Sequence, residues 1–381
     1  MTCLEELRGK IDEIDRKLGE LFEQRMELVE KIAEYKRQNG LPVLDREREK
    51  AVIEKNISRL KKKKLVEETE DFFSNLMRIS REYQEKKIAE ISLPLADLRL
   101  GDEVNSISQK IRVCFQGTTG SFSEQALDEY FGNGVEKLAV SEFEDVFKEL
   151  ENKQADYGVL PLENSSTGGV AEVYDLLRQY GFYIVGEKCI DVEQHLLGLK
   201  GAKLSLLREV YSHPQALEQS RKFLKDHPNL ILIPYYNTAA SAEYVKQQGD
   251  IHKAAIASRR AAEAFGLEII QENINHNRNN KTRFVIIGRE LKIAPENDKI
   301  SVVFALEHRA GSLYNALKYF AENKLNLLKI ESRPILERPW QYFFYLDFEG
   351  NIQDPKVQEA IKLVKENSYY FKLLGNYEKS L

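Results

Sequence analysis

Residues 4–37 read LEELRGKIDEIDRKLGELFEQRMELVEKIAEYKR, and this stretch decides the fold of the N-terminal part of the chain. Apolar residues recur in it at alternating spacings of three and four, which indicates one face of a long helix. This apolar seam consists of Leu4, Leu7, Ile11, Ile14, Leu18, Leu21, Leu28 and Ile32. A helix of this length spans about 50 Å, too long to bury its seam within a compact unit of one chain. We therefore expect partner helices from a second subunit.

Two more helices are predicted, over 46–60 and 65–90. The apolar side of the later one is predicted to carry Phe72, Phe73, Leu76, Ile79 and Tyr83. The periodicity is lost over 91–110, where proline, glycine, serine and aspartate indicate a linker. Residues 1–90 are thus predicted to form an all-α domain.

Residues 111–290 have a different sequence pattern, in which short apolar runs alternate with helical segments, as in α/β domains. The predicted strands are Ile111–Phe115, Tyr157–Leu160, Phe182–Val185, Leu230–Ile233, Ala254–Ala257 and Arg283–Ile287. The segment is long enough for two lobes with a cleft between them. Beyond the break at 294–298, residues 299–381 have the pattern strand, helix, strand, strand, helix, strand, which predicts a ferredoxin-like α+β domain.

Composition narrows the class of protein. The 381-residue chain has a net charge of -5 with both signs mixed, which gives no argument for a nucleic-acid partner. No apolar run approaches the length of a membrane span, and the N-terminal residues lack the apolar core of an export signal. The three cysteines lack metal or redox spacing, and neither zinc-type nor nucleotide-binding glycine patterns occur. We expect a cytoplasmic protein without a metal or cofactor.

Two cations of the first helix, Arg25 and Lys36, lie eleven residues apart and so share one face. About 16 Å apart along the backbone, they could converge on a dianion. The alternative is an interhelical salt bridge to a glutamate. Ser80 and Gln84 share a face of the third predicted helix, and two neutral polar residues there indicate a pocket inside a helical bundle.

Order and spacing of these residues resemble the all-helical (AroQ-type) chorismate mutases. The matching positions are Arg8, Arg25, Lys36, Asp45, Arg48, Glu49, Ser80 and Gln84. The resemblance implies an intertwined dimer in which Arg8 reaches a substrate carboxylate from the partner chain and Arg25 holds the other. It also implies that Lys36 and Gln84 donate to the ether oxygen of chorismate.

The remaining positions have implied roles as well. Arg48 would assist the carboxylate clamp, Asp45 and Glu49 would bind the ring hydroxyl, and Ser80 would support the pocket. Rearrangement of chorismate to prephenate is unimolecular, so it requires positioning and stabilisation of growing negative charge rather than a nucleophile.

Four loops of the middle domain gather hydroxyls and amides at strand or helix ends, where anions bind. They lie at 116–123, 161–169, 212–219 and 280–284. Helix capping is the alternative for each loop taken singly, and His213 is interpreted as a turn residue. Together, the sequences GTTGSFS at 117–123, ENS at 163–165 and TRF at 282–284 resemble prephenate dehydratase.

That resemblance implies a two-lobed fold like that of periplasmic binding proteins, with the second lobe at about 190–275 and the site between the lobes. It implies that Thr282 donates to the leaving hydroxyl of prephenate, that Arg283 binds or orients a carboxylate and that Phe284 walls the ring. Further hydrogen bonds to the substrate would come from Asn164, Ser165, Ser212 and Gln219.

The C-terminal residues resemble an ACT domain of the phenylalanine-sensing kind. The similarity rests on two motifs, Gly311-Ser312-Leu313 at a helix start and Glu331-Ser332-Arg333 followed by proline at a strand end. Locally these are a glycine cap and an ordinary strand end. The resemblance implies feedback inhibition by L-phenylalanine bound at a dimer interface. We expect a homodimer or a dimer of dimers.

Two other hypotheses compete with that of a bifunctional enzyme. One is a regulatory binding protein without chemistry, which the intact Thr282-Arg283-Phe284 motif disfavours. The other is an enzyme with a single activity, in which one domain has decayed. Retention of all eight mutase positions argues against loss of the first activity.

Overall fold

The computed structural model describes residues 4–38, 46–89, 110–132, 134–277, 279–336 and 338–380. The chain divides into two compact units, Met1–Asp97 and Leu98–Leu381, which are described separately. The predicted site residue Asp45 and, except for Lys110, the predicted linker at 91–110 lie outside the described residues.

The first unit is helical. Its helices are α1 (Leu4–Gln38), α2 (Arg46–Ser58) and α3 (Val66–Ala89). These bounds lie within two residues of those that the apolar periodicity predicts. Long helices of this kind obtain most of their stability from packing one apolar face, so the identity of the buried face matters more than the helix ends.

The predicted apolar seam of α1 is not the face that packs within the chain. All eight seam residues are between 46% and 61% exposed. The buried positions of α1 are instead Val29 and Ala33, and α3 contributes Met77 to the buried set. The prediction for α3 is wrong in part, because Phe72 and Ile79 are exposed. An exposed apolar seam of this length marks an interaction surface.

The second unit contains fifteen strands and nine α-helices within its described residues, with a short 3-10 helix at Leu204–Leu206. The strands are β1 (Arg112–Gln116), β2 (Glu136–Val140), β3 (Tyr157–Asn164), β4 (Gly168–Gly169), β5 (Tyr183–Asp191), β6 (His195–Gly198), β7 (Glu209–Ser212), β8 (Ile231–Pro234), β9 (Lys253–Ala257), β10 (Glu268–Gln271), β11 (Lys281–Gly288), β12 (Lys299–Ala305), β13 (Leu327–Pro334), β14 (Tyr342–Glu349) and β15 (Tyr370–Tyr377). The helices are α4 (Phe122–Phe131), α5 (Phe143–Glu151), α6 (Ala171–Gln179), α7 (Pro214–Gln219), α8 (Arg221–Lys225), α9 (Thr238–Gln248), α10 (Arg259–Phe265), α11 (Ser312–Glu322) and α12 (Pro355–Glu366).

Two sheets organise the unit. The larger has the order β13-β14-β12-β15-β5-β11-β3-β1-β2, with β4 paired to β3, and the smaller has the order β10-β6-β9-β7-β8. The smaller sheet lies within the range predicted for the second lobe. Parallel pairs occur in both sheets, β1 with β2 and β3, and β7 with β8 and β9. Each sheet has its own apolar core.

The C-terminal strands and helices follow the predicted order β12-α11-β13-β14-α12-β15. Their four strands join the larger sheet where Gly375 of β15 pairs with Ile184 of β5. A Cβ atom at position 375 would lie 2.1 Å from the Ile184 carbonyl oxygen, so only glycine allows this approach. The C-terminal part and the larger-sheet lobe therefore share one continuous sheet.

Candidate active sites

A cavity of about 390 Å³ lies in the second unit, within the size range of small-molecule sites. Loops after strands of both sheets contribute to it. The polar residues that line it are Gln116, Ser121, Ser123, Asn164, Thr167, Gln194, His213, Gln215, Gln219, Asn237, Thr238 and Thr282. Phe122, Phe143 and Phe284 are its aromatic lining residues. Asn164, Gln219, Thr282 and Phe284, which come from three separate segments of the sequence, thus meet at one cavity.

A hydrogen-bond network fixes the Thr282 hydroxyl on the cavity wall. Asn164 Nδ2 donates to Thr282 Oγ1 at 2.9 Å, and Asn164 Oδ1 accepts from the backbone N–H groups of Ser166 and Thr167. The strands that carry these residues are neighbours, with Thr282 of β11 paired opposite Asn164 of β3. The register of this pairing therefore brings the two distant motifs together.

No lysine, arginine, aspartate or glutamate is among the residues that line this cavity in the described part of the chain. Positive potential comes instead from helix N-termini, because the first turns of α4 and α9 line the cavity. Asn237 Nδ2, at the start of α9, is buried without a hydrogen-bond partner among the described residues. The cavity is suited to small anions held by neutral donors.

His213 is the titratable side chain among these lining residues. It caps α7, where its Nδ1 atom accepts from the backbone N–H of Gln215, so the neutral ring carries its proton on Nε2. Burial lowers the pKa of His213 below its ordinary value. The turn position expected from the sequence is correct, but the ring also faces the cavity.

The first unit holds a second polar site between α1 and α3. Arg25 of α1 is half-buried and donates to the hydroxyl of Ser80, which in turn donates to the Leu76 carbonyl. Burial lowers the pKa of the Arg25 guanidinium. Gln84, one turn beyond Ser80, is 7% exposed, and its Oε1 atom has no partner among the described residues. Among the residues that the structure describes, the partner of Arg25 is thus a hydroxyl.

The other predicted residues of this unit lie on α1 and α2. Lys36 is half-buried near the end of α1, and Glu49 is half-buried on α2. Arg48 and Arg8 are exposed. Arg8 lies about 25 Å from Arg25 along the same helix, so the two cannot meet at one substrate within one chain.

Two family models match the chain. Residues 7–85 match chorismate mutase type II, and residues 113–292 match prephenate dehydratase. The bifunctional chorismate mutase/prephenate dehydratase of Aquifex aeolicus (strain VF5) is 33% identical over 382 residues, which cover 100% of this chain and 99% of that protein. The chain belongs to the bifunctional chorismate mutase/prephenate dehydratase family.

Two further relatives support the same family assignment. The protein of the same name from Escherichia coli (strain K12) is 33% identical over 377 residues, covering 97% of this chain and 95% of that protein. The crystal structure of prephenate dehydratase from Arthrobacter aurescens in complex with L-Phe is 30% identical, with a TM-score of 0.65, and covers 71% of this chain and 90% of that chain. The chain is a bifunctional enzyme, with a mutase domain ahead of a dehydratase domain. No helix in the described ranges is long and apolar enough to cross a membrane.

Three predictions for the dehydratase domain need correction. Ser212 is fully buried, and its hydroxyl donates to the Ile256 carbonyl at 2.6 Å. The Ser165 hydroxyl accepts from the backbone N–H of Lys281 and ties its loop to β11. Neither serine lines the cavity. Both are polar groups satisfied by backbone, which is the commoner fate of such residues.

Arg283 is the third correction, because it faces away from the cavity. Successive side chains of a strand point to opposite faces, and Thr282 and Phe284 take the cavity face. The Arg283 guanidinium instead contacts Glu187 Oε2 at 2.7 Å, Asp347 Oδ2 at 2.6 Å and the Tyr377 hydroxyl at 2.9 Å. It therefore cannot bind a substrate carboxylate in the cavity.

The surroundings of Arg283 form a buried ionic cluster, defined as Arg283, Lys299, Glu187 and Asp347. Lys299 Nζ lies 2.9 Å from Glu187 Oε2, so two cations face two carboxylates. Burial alone would raise the pKa of Asp347, but Arg283 and Lys299 outweigh burial and hold that pKa below its ordinary value. The cluster joins β11 and β5 of the dehydratase domain to β12 and β14 of the C-terminal part.

Several cavity residues escaped prediction from the sequence. Thr167 and Gln215 lie in loops that the sequence pattern singled out but were not predicted individually, Asn237 lies outside those loops, and His213 was interpreted as a turn residue only. Asn237 follows β8 and caps α9, so it stands at the same kind of strand-to-helix junction as the loops that the sequence did single out. Gln215 Nε2 donates to Thr167 Oγ1 at 3.0 Å, a contact between lobes that no local pattern reveals.

We expect Asp347→Asn to destabilise the protein by about 3–5 kcal/mol at pH 7, because it leaves a buried cation uncompensated. The lowered pKa of Asp347 means that its stabilising contribution is present above about pH 4 and is lost as the pH falls through that lowered pKa. The difference between wild type and variant in urea unfolding should therefore shrink at acid pH. Glu290→Gln, at an exposed position, serves as the control. Equal urea midpoints for wild type and Asp347→Asn at pH 7 would show that the buried ionic cluster does not stabilise the protein.

Proposed function

We propose that the cavity of the dehydratase domain binds prephenate and that Thr282 donates the proton that accompanies loss of the ring hydroxyl. The observation that carries this proposal is the hydrogen bond from Asn164 Nδ2 to Thr282 Oγ1 on the cavity wall. A hydroxyl that accepts from an amide N–H keeps its own proton for another acceptor. The hydroxyl that leaves prephenate would be that acceptor.

In the reaction, the bond between the ring and its carboxylate breaks as CO2 leaves, and its electron pair enters the ring. The bond from the ring to the hydroxyl oxygen breaks at the same time, and that oxygen takes one proton and departs as water. Phenylpyruvate remains, with the carboxylate of the side chain intact. The protein must therefore supply one proton, which Thr282 regains from solvent in each turnover, and hold one carboxylate without holding the other too tightly.

An uncharged cavity wall meets both demands. A fixed lysine or arginine against the departing carboxylate would stabilise the ground state and oppose release of CO2. Backbone N–H groups at the N-termini of α4 and α9, together with Gln219 and Asn237, supply neutral donors for the carboxylate that stays. Phe284, which is 2% exposed, forms the apolar wall beside Thr282.

We expect Thr282→Ala to lower kcat for prephenate dehydration by at least about 100-fold, because the proton donor is lost. Thr282→Ser keeps the hydroxyl and should retain much more activity, and the mutase activity of both variants should equal that of wild type. Steady-state kinetics with added prephenate measure the first effect, and chorismate consumption measures the second. Thr282→Ala with wild-type kcat would exclude this role.

For the mutase domain we propose that Arg25 binds one carboxylate of chorismate and that Lys36 and Gln84 donate to its ether oxygen. The half-buried Arg25, held by Ser80, and the buried Gln84, whose Oε1 atom has no partner in the described part of the chain, support a polar pocket at the α1–α3 interface. Arg48, Glu49 and Asp45 complete the binding set by resemblance to the family. The second carboxylate would be bound by Arg8 of a second copy, since Arg8 and Arg25 of one chain are too far apart.

An intertwined dimer also accounts for the apolar seam of α1, whose residues are exposed in the single chain. Two copies that pack these seams together would bury the exposed leucines and isoleucines, which is the main driving force for association of such helices. The dimer would therefore be required both for stability of the mutase domain and for completion of its site.

This arrangement predicts subunit complementation. Arg8→Ala and Arg25→Ala should each abolish mutase activity while leaving dehydration of added prephenate intact. When the two variants are mixed and reassembled from denaturant, heterodimers contain one site with both defects and one intact site, so about a quarter of wild-type activity should return. Arg16→Ala, an exposed position of α1, is the control. Failure of the mixture to recover activity would contradict a site shared between subunits.

We propose further that residues 299–381 form an ACT domain that binds L-phenylalanine and inhibits the dehydratase. A cavity of about 220 Å³ is lined by Ser312 and Leu313, next to Gly311, whose φ of 82° favours glycine. The related Arthrobacter aurescens dehydratase was crystallised in complex with L-Phe. Ser332 is exposed on β13, at the edge of the sheet, where a second copy could complete the ligand site.

Contacts between the C-terminal part and the dehydratase domain offer a route for inhibition. Glu331 and Arg333 face the dehydratase domain rather than the small cavity, and Arg333 pairs with Asp175 of α6 at 3.0 Å. Lys329 on the same strand pairs with Glu163 at 2.8 Å, and Glu163 directly precedes Asn164. A shift of β13 on ligand binding would thus act on the residue that holds Thr282.

Lys372 of β15 provides a further connection, because its amine donates to the Leu177 carbonyl at 2.7 Å and also to the Tyr180 carbonyl, at the C-terminal end of α6. Burial lowers the pKa of Lys372 to about 8. Helix α6 follows the loop of Asn164 and Thr167 along the chain. The segment from Glu163 to Tyr180 is therefore bonded to C-terminal strands at both ends, to β13 through Lys329 and to β15 through Lys372.

If Lys329 transmits inhibition, Lys329→Met should raise the phenylalanine concentration for half-inhibition by about 10-fold, within the usual range of coupling between sites. Phenylalanine binding in the absence of prephenate, measured by calorimetry, should change little. Lys318→Met, which removes a surface pair on α11, is the matched control. Unchanged inhibition in Lys329→Met would exclude this route.

A further inference from the structure

A second asparagine lies behind the Asn164–Thr282 pair. Asn280 Oδ1 accepts from Asn164 Nδ2 at 2.8 Å and from the Ser166 hydroxyl at 3.1 Å. Asn280 is 2% exposed and does not line the cavity. Its side chain is thus one hydrogen bond removed from Thr282 and outside the space that a substrate would occupy.

The orientation of Asn164 follows from its partners. The backbone N–H groups of Ser166 and Thr167 can only donate, so the atom that faces them must be the Asn164 oxygen. The Asn164 nitrogen therefore faces Asn280 and Thr282. Its two hydrogens are both used, one on Asn280 Oδ1 and one on Thr282 Oγ1.

We propose that Asn280 is a positioning residue for prephenate dehydration, acting through Asn164 on the Thr282 hydroxyl. Without the Asn280 oxygen, one Asn164 N–H has no acceptor in a buried site. The free-energy cost of an unsatisfied buried donor is large enough to rotate or shift the amide. The second N–H then no longer points at Thr282 Oγ1. The Thr282 proton loses its fixed direction towards the leaving hydroxyl.

The functional atom of Asn280 is its oxygen. Asn280 Nδ2 is buried and has no hydrogen-bond partner among the described residues, so its loss removes no contact there. Substitution by aspartate retains the accepting oxygen, whereas leucine has similar size and no acceptor. The pair of variants separates hydrogen bonding from the filling of space. This inference rests on the proposed role of Thr282.

The test measures kcat and KM for prephenate in Asn280→Leu and Asn280→Asp. We expect Asn280→Leu to lower kcat by about 10- to 100-fold, the loss typical of a misplaced reacting group, with KM changed less than about threefold. Asn280→Asp should retain kcat within about fivefold of wild type. Urea unfolding of each variant reports on the integrity of the fold.

A double-variant cycle separates a positioning role from a structural one. In a Thr282→Ala background, Asn280→Leu should lower kcat by less than about a further twofold, because the hydroxyl that Asn280 positions is already absent. An equal loss in both backgrounds, or equal loss in the leucine and aspartate variants, would overturn the Asn280 inference. If Thr282→Ala is inactive while Asn280→Leu has wild-type kcat, only this inference fails. If Thr282→Ala itself has wild-type kcat, the proposed function fails.

Discussion

Strand β11 is paired on both sides, to β3 and to β5, and this double pairing is the constraint on which the dehydratase domain depends. A strand held in this way cannot rotate or slip, so alternate side chains are committed to opposite faces. Thr282 and Phe284 face the cavity, and Arg283 between them faces the buried ionic cluster. One three-residue motif thus lines the cavity on one face and holds the C-terminal strands on the other.

Charge is distributed differently in the two domains, in keeping with the chemistry of each. The proposed mutase site uses the cations of Arg25 and Lys36, which suit a rearrangement that keeps both carboxylates and builds negative charge on an ether oxygen. Among the described residues, the dehydratase cavity is lined without ionised side chains, and the buried cations Arg283 and Lys299 are paired with carboxylates outside it. In the proposed function, neutral donors there would bind an anion without opposing the loss of CO2. The two proposed sites would therefore recognise the same substrate class by opposite means in one polypeptide.

Much of the architecture could be predicted because it is encoded locally. The spacing of leucines and isoleucines places α1 within one residue of its observed end, and the short apolar runs locate β1, β3, β5, β8, β9 and β11. Strand alternation alone also places the Arg283 side chain on the face opposite that of Thr282. The hydrogen bonds of Ser165 and Ser212, by contrast, could not be predicted from the sequence. Their hydroxyls bond to the backbone of distant segments, Lys281 and Ile256, which no local pattern specifies.

The sequence by itself determined the helical and α/β character of the two parts, the positions of the polar loops and the family to which they are similar, because periodicity and motif spacing are properties of adjacent residues. Only the tertiary structure decided which of those polar residues meet. Asn164, Asn280 and Thr282 become one network because Thr282 of β11 pairs opposite Asn164 of β3. Arg283 joins Glu187 and Asp347 because Gly375 allows β15 to approach β5 and extend the sheet. Register and close approach arise from packing between distant segments, so local sequence does not reveal them.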